Sequence, residues 1–232
     1  MGKTVAIIPA RGGSKRIPKK NIKSFNGRPM IQYPIECARV SGIFDEIIVS
    51  TDSQEIANVA ISAGAKVPFL RPKELADDFT PTAPVLVHAI KELEKTGIEI
   101  DFLCCIYATA VFVQPEHLKK GYETITSTGA SSVFSVTTFD FPIFRALKIN
   151  NRGCLEMLWP EHELTRSNDL PEVYHDAGQF YWLKKDEFLK NQKIYTLDAR
   201  PVIIPRKFVE DIDTPEDWEA AEIKFKVMFQ GG

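Results

Sequence analysis

The sequence predicts an α/β protein with a doubly wound, mostly parallel sheet and a β-rich arm. The first observation is that short apolar, strand-like runs alternate with helix-like runs through the first 140 residues. This alternation is typical of a parallel sheet covered by helices on both faces. The second observation is that the alternation stops after about residue 138, where Phe, Trp, Tyr, His and Pro accumulate without a clear helix. We therefore expect one domain over residues 1–232, with a protruding arm at residues 139–180.

The individual elements follow from periodicity and from residues that favour helix ends. Strands are expected at residues 5–8, 46–50, 66–69, 102–107 and 131–136, and helices at residues 30–40, 53–63, 82–95 and 115–127. Ser53, with Asp52 before it, is a favoured helix N-cap, and Gly64 and Gly97 suit the position after a helix C-terminus. The arm is expected to hold short strands at 145–149 and 179–183. Beyond it we expect a strand at 201–204 and a helix at 216–229 that opens at Pro215.

The loop after the first strand has the composition of a nucleotide-phosphate site. Gly12 and Gly13 leave the strand without side chains, so backbone N–H groups can approach an anion. Five cationic side chains lie within the ten residues 11–20: Arg11, Lys15, Arg16, Lys19 and Lys20. Neither the Walker pattern nor the dinucleotide fingerprint fits this spacing. The alternative interpretation is an ordinary strand-to-loop turn with a solvated basic face.

Composition excludes several classes of protein. The 232-residue chain is 44% hydrophobic, which is ample for one large core. Its formal net charge of −2 argues against a general nucleic-acid binder, because binding to a phosphate backbone needs a broadly basic surface. The longest apolar stretch, residues 102–113, is too short to span a bilayer, and the four cysteines show no disulfide framework or metal spacing. We expect a cytoplasmic protein with buried, reduced thiols and neither a membrane nor a nucleic-acid partner.

Several sequence blocks recur across most of the chain in the order seen in one enzyme family. Besides the loop at 4–21, they are Ile-Ile-Val-Ser-Thr-Asp at 47–52, Leu-Arg-Pro at 70–72, Glu-Leu-Ala at 74–76, Thr-Arg at 165–166, Leu-Pro at 170–171, His-Asp-Ala-Gly-Gln-Phe-Tyr at 175–181 and Asp-Ile-Asp-Thr-Pro at 211–215. Together they resemble the CMP-sialic acid synthetase family, cytidylyltransferases that activate nine-carbon 2-keto sugar acids. The blocks at 104–107 and 175–182 look most like the branch that makes CMP-pseudaminic acid. The resemblance implies a Rossmann-like nucleotidyltransferase that uses CTP and a nonulosonic acid and forms a homodimer through its arm.

The resemblance also implies which residues bind the nucleotide. Arg11 and Lys20 match basic positions that flank the loop in the family, and we expect them to be catalytic together with Asp211. The expected nucleotide contacts are Arg11, Gly12, Gly13, Ser14, Lys15, Lys20, Asn21, Arg71, Ala76, Thr80 and Thr82. Arg71 and the loop at 76–82 are expected to read the cytosine. Lys15 is expected to touch the leaving pyrophosphate, whereas Arg16 and Lys19 are interpreted as solvated.

Asp211 and Asp213 are the candidate metal ligands. Two residues apart in an extended segment, they would point to one face, and carboxylate oxygens suit Mg²⁺. Mg²⁺ is the cofactor that the resemblance implies, and it would lower the pKa of the attacking sugar hydroxyl. The alternative is a pair of helix N-cap acids ahead of Thr214 and Pro215.

The sugar acid is expected to contact the arm and the strand ends. Arg145 and Arg166 resemble family arginines that reach the sugar carboxylate, in some members from across the dimer interface. The other expected contacts, at the carboxyl edge of the sheet where such folds bind ligands, are Tyr107, Thr109, His175, Asp176 and Gln179. The aromatics at 180–182 are expected to form an apolar wall for the terminal methyl of pseudaminic acid. One departure is Ala-Thr-Ala-Val at 108–111, where relatives commonly have Pro-Thr-Ala/Ser-Pro.

The sequence alone leaves two other functions open. The first keeps the chemistry and changes the sugar to sialic, legionaminic or 3-deoxy-octulosonic acid. The second is a non-catalytic nucleotide-sugar sensor, which the intact set of Arg11, Lys20, Asp211 and Asp213 argues against. The arm aromatics also allow two interpretations, a dimer contact or packing onto their own core, and they are Phe139, Phe141, Phe144 and Trp159.

Overall fold

A six-stranded sheet forms the centre of the protein, whose computed structural model describes residues 2–229. The strands are β1 (Lys3–Pro9), β2 (Ser24–Phe25), β3 (Arg28–Pro29), β4 (Glu46–Ser50), β5 (Ile100–Ile106), β6 (Ser132–Thr138), β7 (Leu147–Ile149), β8 (Leu155–Met157), β9 (Tyr174–Lys184) and β10 (Arg200–Ile203). The helices are α1 (Gln32–Ser41), α2 (Gln54–Ser62), α3 (Thr82–Lys95), α4 (Pro115–Thr128), α5 (Lys185–Asn191) and α6 (Pro215–Phe229). The sheet order is β10-β6-β9-β5-β1-β4, and β9 alone of these strands runs antiparallel to its neighbours.

Successive apolar side chains of the central strands point to opposite faces of the sheet and fill a core on each face. Ala6 and Ile8 of β1 pack with α1, α2 and α4, whereas Val5 and Ile7 pack with α3 and α5. A strand buried on both faces is the expected centre of a doubly wound sheet. The fold class predicted from the sequence is therefore confirmed.

Helix α4 packs against the sheet most closely at Gly121. A Cβ atom at this position would lie 2.4 Å from Cδ1 of Trp182, a fully buried residue of β9. The Trp182 indole also donates a hydrogen bond of 3.1 Å to the carbonyl of Leu118 in the same helix. Only glycine leaves room for this contact, which fixes β9 against α4.

A third core cluster lies under the loop that follows β1. Ile17 of that loop is 2% exposed and belongs to the same cluster as Phe25, Phe112 and Trp218 of α6. Phe25 and Trp218 meet edge to face, with ring centroids 5.5 Å apart. This cluster anchors the basic loop on its inner side and leaves the side chains of Lys15, Arg16 and Lys19 exposed.

Most predicted elements are present, with three corrections. No strand forms at 66–69, where Lys66 makes a single bridge to Ile48. The predicted strand at 179–183 is part of β9, which lies in the central sheet, so the excursion from the sheet covers residues 139–173. The short helix α5 was not predicted. The expected caps are present, since the Ser53 hydroxyl accepts a hydrogen bond from the N–H of Ile56 and both Gly64 and Gly97 have positive φ.

The excursion is a small subdomain built on the β7–β8 hairpin. It leaves the sheet at Thr138 and returns at Tyr174, and these two residues are paired across β6 and β9. Several of its apolar residues are exposed, among them Phe141 at 84% and Ile149 at 73%. Cys154 in this segment is also exposed, which corrects the expectation that all thiols are buried. Within residues 2–229 no helix is long and apolar enough to cross a membrane.

Candidate functional site

The main cleft opens at the carboxyl edge of β1 and β5 and has a volume of about 310 Å³. This is the edge at which doubly wound sheets bind their ligands. The residues predicted from the sequence that line it are Arg11, Ser14, Lys15, Lys20, Asn21, Arg71, Thr80, Thr82, Tyr107, Thr109 and Asp213. Arg16, which the sequence analysis interpreted as solvated, lines it as well.

The loop after β1 is held in place by hydrogen bonds to its own backbone. The buried Asn21 amide donates to the carbonyl of Arg11 at 2.9 Å, and Asp52 accepts from the N–H of Gly12 at 2.9 Å. A Cβ on Gly12 would approach that of Ser53 to 3.1 Å. Gly12 therefore permits close contact with the start of α2, and its N–H is bound to Asp52. This corrects the expectation that the N–H of Gly12 faces the anion, whereas that of Gly13 stays a prediction.

Four cations of the cleft are paired with carboxylates of the same chain. Lys20 Nζ donates to the carbonyl of Ile212 at 2.7 Å and to Asp213 at 3.1 Å, and Arg16 contacts the second oxygen of Asp213 at 2.8 Å. Partial burial opposes the ionisation of Asp213, but Lys20 and Arg16 outweigh it and lower the pKa of this carboxyl. Arg11 and Lys15 contact Asp78 at 2.6 and 2.5 Å. The cleft is thus charged and preorganised for a polyanion.

Arg71 is the least exposed charged group in the cleft wall. It is 5% exposed, and its Nε and Nη2 atoms have no hydrogen-bond partner among the residues that the structure describes. Burial lowers the pKa of this guanidinium, although the charge of Asp52 opposes the shift. A buried cation with unused donors is costly unless a ligand satisfies them. This side chain is therefore suited to recognise a polar ligand.

The remaining wall of the cleft comes from the loop before α3 and from Tyr107. Thr80 donates its hydroxyl to Asp77 at 2.7 Å, and Thr82 and Tyr107 share a hydrogen bond of 3.0 Å between their hydroxyls. Ala76 ends a short 3-10 turn and does not line the cleft, which corrects one expected contact.

A second cleft of about 530 Å³ lies beside the paired ends of β6 and β9. His175, Asp176 and Asp211 line it, as do the cations Arg206 and Lys224. Those two cations pair with Asp140 and Glu210 at 2.9 Å each, and the sequence analysis gave them no role. Their positions could not be inferred because the second cleft forms between segments distant in sequence.

Two of the predicted sugar contacts have partners within the protein. Asp176 accepts from the N–H of Gly178 and from the hydroxyls of Tyr181, at 2.6 Å, and Tyr195. Gln179 is buried, donates to the carbonyl of Phe208 and lines neither cleft. Gln179 is therefore corrected from a substrate contact to a group that holds the wall of the site, whereas Asp176 lines the second cleft and its contact with the sugar stays a prediction.

The expected apolar wall is also wrong. Phe180 and Trp182 are 0% exposed and Tyr181 is 3% exposed, because all three belong to the cores of the sheet. Of these residues only the hydroxyl of Tyr181 extends toward the second cleft, through its bond to Asp176. His175, by contrast, lines that cleft and contacts the carbonyl of Asp176 through Nδ1 at 2.8 Å.

Asp211 and Asp213 lie at the border between the two clefts. Asp213 lines the main cleft and Asp211 the second, with the buried Ile212 between them. Desolvation and the nearby charge of Asp213 raise the pKa of Asp211. A carboxylate whose charge is disfavoured by burial and by a neighbouring carboxylate is suited to a hard cation such as Mg²⁺. No group of three or more His, Cys, Asp or Glu residues is placed for metal binding within residues 2–229.

The two arginines predicted to bind the sugar carboxylate lie in the arm and reach neither cleft of their own chain. Arg145 donates to the carbonyl of Thr165 at 2.5 Å, and Arg166 pairs with Asp169 at 2.7 Å. The side chain of Arg166 is 82% exposed. Within one chain these residues are surface groups.

Comparisons with known proteins agree with this geometry. Residues 5–229 match the family model described as cytidylyltransferase. The chain is 43% identical over 225 residues to the pseudaminic acid cytidylyltransferase of Campylobacter jejuni, with 97% of each chain covered. It is 32% identical over 221 residues to the CMP-N,N′-diacetyllegionaminic acid synthase of Legionella pneumophila, with 94% of each covered. A solved CMP:2-keto-3-deoxy-manno-octonic acid synthetase complexed with CTP shares the fold, with a TM-score of 0.72, 18% identity and full coverage of both chains.

The fold and the cation-lined cleft define a nucleotidyltransferase. The match over nearly the whole chain makes the assignment specific: the protein belongs to the cytidylyltransferase family. The family resemblance drawn from the sequence blocks is confirmed.

Proposed function

We propose that the enzyme transfers CMP from CTP to a nine-carbon 2-keto sugar acid, and that this acid is pseudaminic acid. The observation that carries the proposal is a cation-lined cleft in a chain that is 43% identical, over 97% of its length, to a pseudaminic acid cytidylyltransferase. The sugar hydroxyl attacks the α-phosphorus of CTP, the bond from that phosphorus to the bridging oxygen breaks, and pyrophosphate leaves.

The main cleft would hold the nucleotide. Arg11, Lys15 and Lys20 line it and would bind the triphosphate, where fixed cations stabilise charge that grows on the phosphate oxygens in the transition state. Arg71 would donate hydrogen bonds from its unpaired Nε and Nη2 atoms to the cytosine. Thr80 and Thr82 lie beside it in the same wall and are sized for a pyrimidine rather than a purine.

Asp211 and Asp213 would hold Mg²⁺ between the two clefts. Their carboxylate oxygens would hold the ion together with phosphate oxygens and water, which are the hard ligands that Mg²⁺ prefers. When bound, the ion neutralises phosphate charge and lowers the pKa of the attacking hydroxyl. Lys20 and Arg16 already orient the Asp213 carboxylate toward the main cleft.

The second cleft would receive the sugar acid, since Asp211 of its lining lies two residues from Asp213 in the lining of the nucleotide cleft. In this cleft, His175 and Arg206 would contact the carboxylate of the sugar acid and its acylamino substituents. We further propose a cytoplasmic homodimer in which Arg145 and Arg166 extend from the arm toward the partner's sugar site. The exposed apolar surface of the arm hairpin, with Ile149 at 73% and Leu155 at 67%, supports such a contact.

The experiment measures pyrophosphate release with CTP, Mg²⁺ and a panel of nonulosonic acids. We expect kcat/KM for pseudaminic acid to exceed that for N-acetylneuraminic acid by roughly tenfold to a hundredfold, since polar groups placed for one substrate reject another. An equal or higher value for N-acetylneuraminic acid would overturn the choice of sugar. No release with any acid would overturn the reaction and favour the sensor. Legionaminic acid is the second candidate substrate, favoured by the 32% identity to its CMP-sugar synthase.

A further inference from the structure

Asp78 pairs with two of the cations that line the main cleft. It lies in the loop between the 3-10 turn at Lys73–Leu75 and helix α3. One carboxylate oxygen contacts Arg11 Nη1 at 2.6 Å and the other contacts Lys15 Nζ at 2.5 Å. These hydrogen bonds from Lys15 and Arg11 lower the pKa of the Asp78 carboxyl, which is therefore ionised at neutral pH. A single carboxylate thus bridges two cations, as a phosphate group would.

Both N–H groups on Nη1 of the Arg11 guanidinium already donate hydrogen bonds within the protein. Nη1 carries two N–H groups. One donates to Asp78 and the other to the backbone carbonyl of Asp77, each at 2.6 Å. A triphosphate that binds Nη1 of Arg11 must therefore displace at least one of these acceptors.

The ion pairs of Asp78 with Arg11 and Lys15 are exposed enough for a phosphate to replace the carboxylate. The Lys15 side chain is 80% exposed, and those of Arg11 and Asp78 are 35% and 29% exposed. Ion pairs open to water contribute little net stability. The adjacent Phe79 is 90% exposed, so no core contact of its ring anchors the tip of this loop. Displacement of Asp78 by a phosphate is therefore inexpensive.

We propose that Asp78 acts as an internal substitute for a substrate phosphate. By competing for the same cations, Asp78 sets the affinity of the cleft for polyphosphates. It holds Arg11 and Lys15 in place in the free enzyme and is exchanged for the triphosphate when CTP binds. It returns to the same cations when pyrophosphate leaves, and so favours product release. Asp78 is a positioning residue, because it acts through Arg11 and Lys15. The inference rests on the proposed function only in requiring that the cleft bind a polyphosphate.

The test is the substitution Asp78→Asn, with calorimetric titration of CTP and of inorganic pyrophosphate in Mg²⁺ without sugar acid. Loss of the competing charge at two partly exposed pairs should lower both Kd values by about threefold to thirtyfold. In turnover, KM for CTP and the inhibition constant of pyrophosphate should fall together, while kcat does not rise. Asp78→Ala should act in the same direction, which covers a failure of either variant to fold.

Glu55→Gln is the matched control. Glu55 binds Lys19 of the same loop at 2.8 Å, so this variant also removes one negative charge and releases one lysine, but outside the cleft lining. It should leave both Kd values within about twofold, as expected for a solvated pair. Unchanged or weaker binding by Asp78→Asn and Asp78→Ala, with wild-type protein binding both ligands, would overturn the inference and leave the proposed function intact. Wild-type protein that binds neither ligand would overturn both.

Discussion

Replacing Arg71 with Met should stabilise the free protein while it weakens nucleotide binding. Arg71 is 5% exposed, and its Nε and Nη2 atoms lack partners within the described chain. Each buried donor left unpaired costs ~1–3 kcal/mol, so the two cost ~2–6 kcal/mol. Methionine fills irregular space without polar atoms, although imperfect packing returns part of the gain. We expect a net stabilisation of about 1–3 kcal/mol.

Thermal unfolding and CTP kinetics measure the two effects separately. For a chain of this size 1 kcal/mol corresponds to about 2–4 °C, so Tm should rise by about 2–12 °C. KM for CTP should rise roughly tenfold to a hundredfold, because a charge-assisted hydrogen bond contributes ~1.5–3 kcal/mol. Arg39→Met is the control, since the Arg39 side chain is 61% exposed and lies outside the main cleft. It should change neither quantity measurably.

The prediction is easily refuted, because it requires higher stability together with weaker CTP binding. A variant damaged in folding would lose both stability and affinity, and so could not produce a higher Tm together with a higher KM. A lower Tm for Arg71→Met, at unchanged control values, would show that the guanidinium donors are satisfied in the free protein. In that case the view of Arg71 as a group held ready for the base would be refuted.

Two further predictions concern the reaction itself. Asp211→Asn keeps the shape of a candidate metal ligand and removes its charge, so kcat should fall by at least tenfold while CTP still binds; wild-type kcat at saturating Mg²⁺ would contradict the metal assignment. If Arg166 acts from the partner subunit, mixtures of Arg166→Ala and Asp211→Asn proteins should recover part of the activity that each lacks alone. Absence of recovery, once subunit exchange is demonstrated by mass spectrometry of mixed dimers, would place the whole site within one chain.

Local sequence signals predicted the regular elements well. The helix expected at 82–95 and the strand expected at 46–50 have those bounds, since apolar spacing and flanking polar residues agree there. The strand expected at 66–69 fails because Pro68 carries no N–H for a sheet ladder. Helix α5 was missed because seven residues, four of them charged, show too little periodicity.

Contacts between distant segments could not be predicted in the same way. Strand β9 carries a continuous apolar run at 180–183 that suits any buried strand of the sheet, and nothing local shows that it inserts antiparallel between β5 and β6. The same holds for the ion pairs of the cleft. Arg11 and Asp78 are 67 residues apart, and Lys20 and Asp213 are 193 apart. The basic loop therefore predicted a cleft lined by cations, but not which carboxylates pair with them.

The pairing of Thr138 with Tyr174 makes the arm an exchangeable module. Directly paired strand residues lie about 5 Å apart, so the 35 residues at 139–173 begin and end at nearly one point. Lengthening such a loop costs little, since doubling its length adds only ~0.6 kcal/mol of closure entropy. The arm can therefore be lengthened, shortened or replaced while β6 and β9 keep their register and the nucleotide cleft its shape. Evolution or an engineer could then change the surface that the arm presents without changing the cleft at the carboxyl edge of β1 and β5.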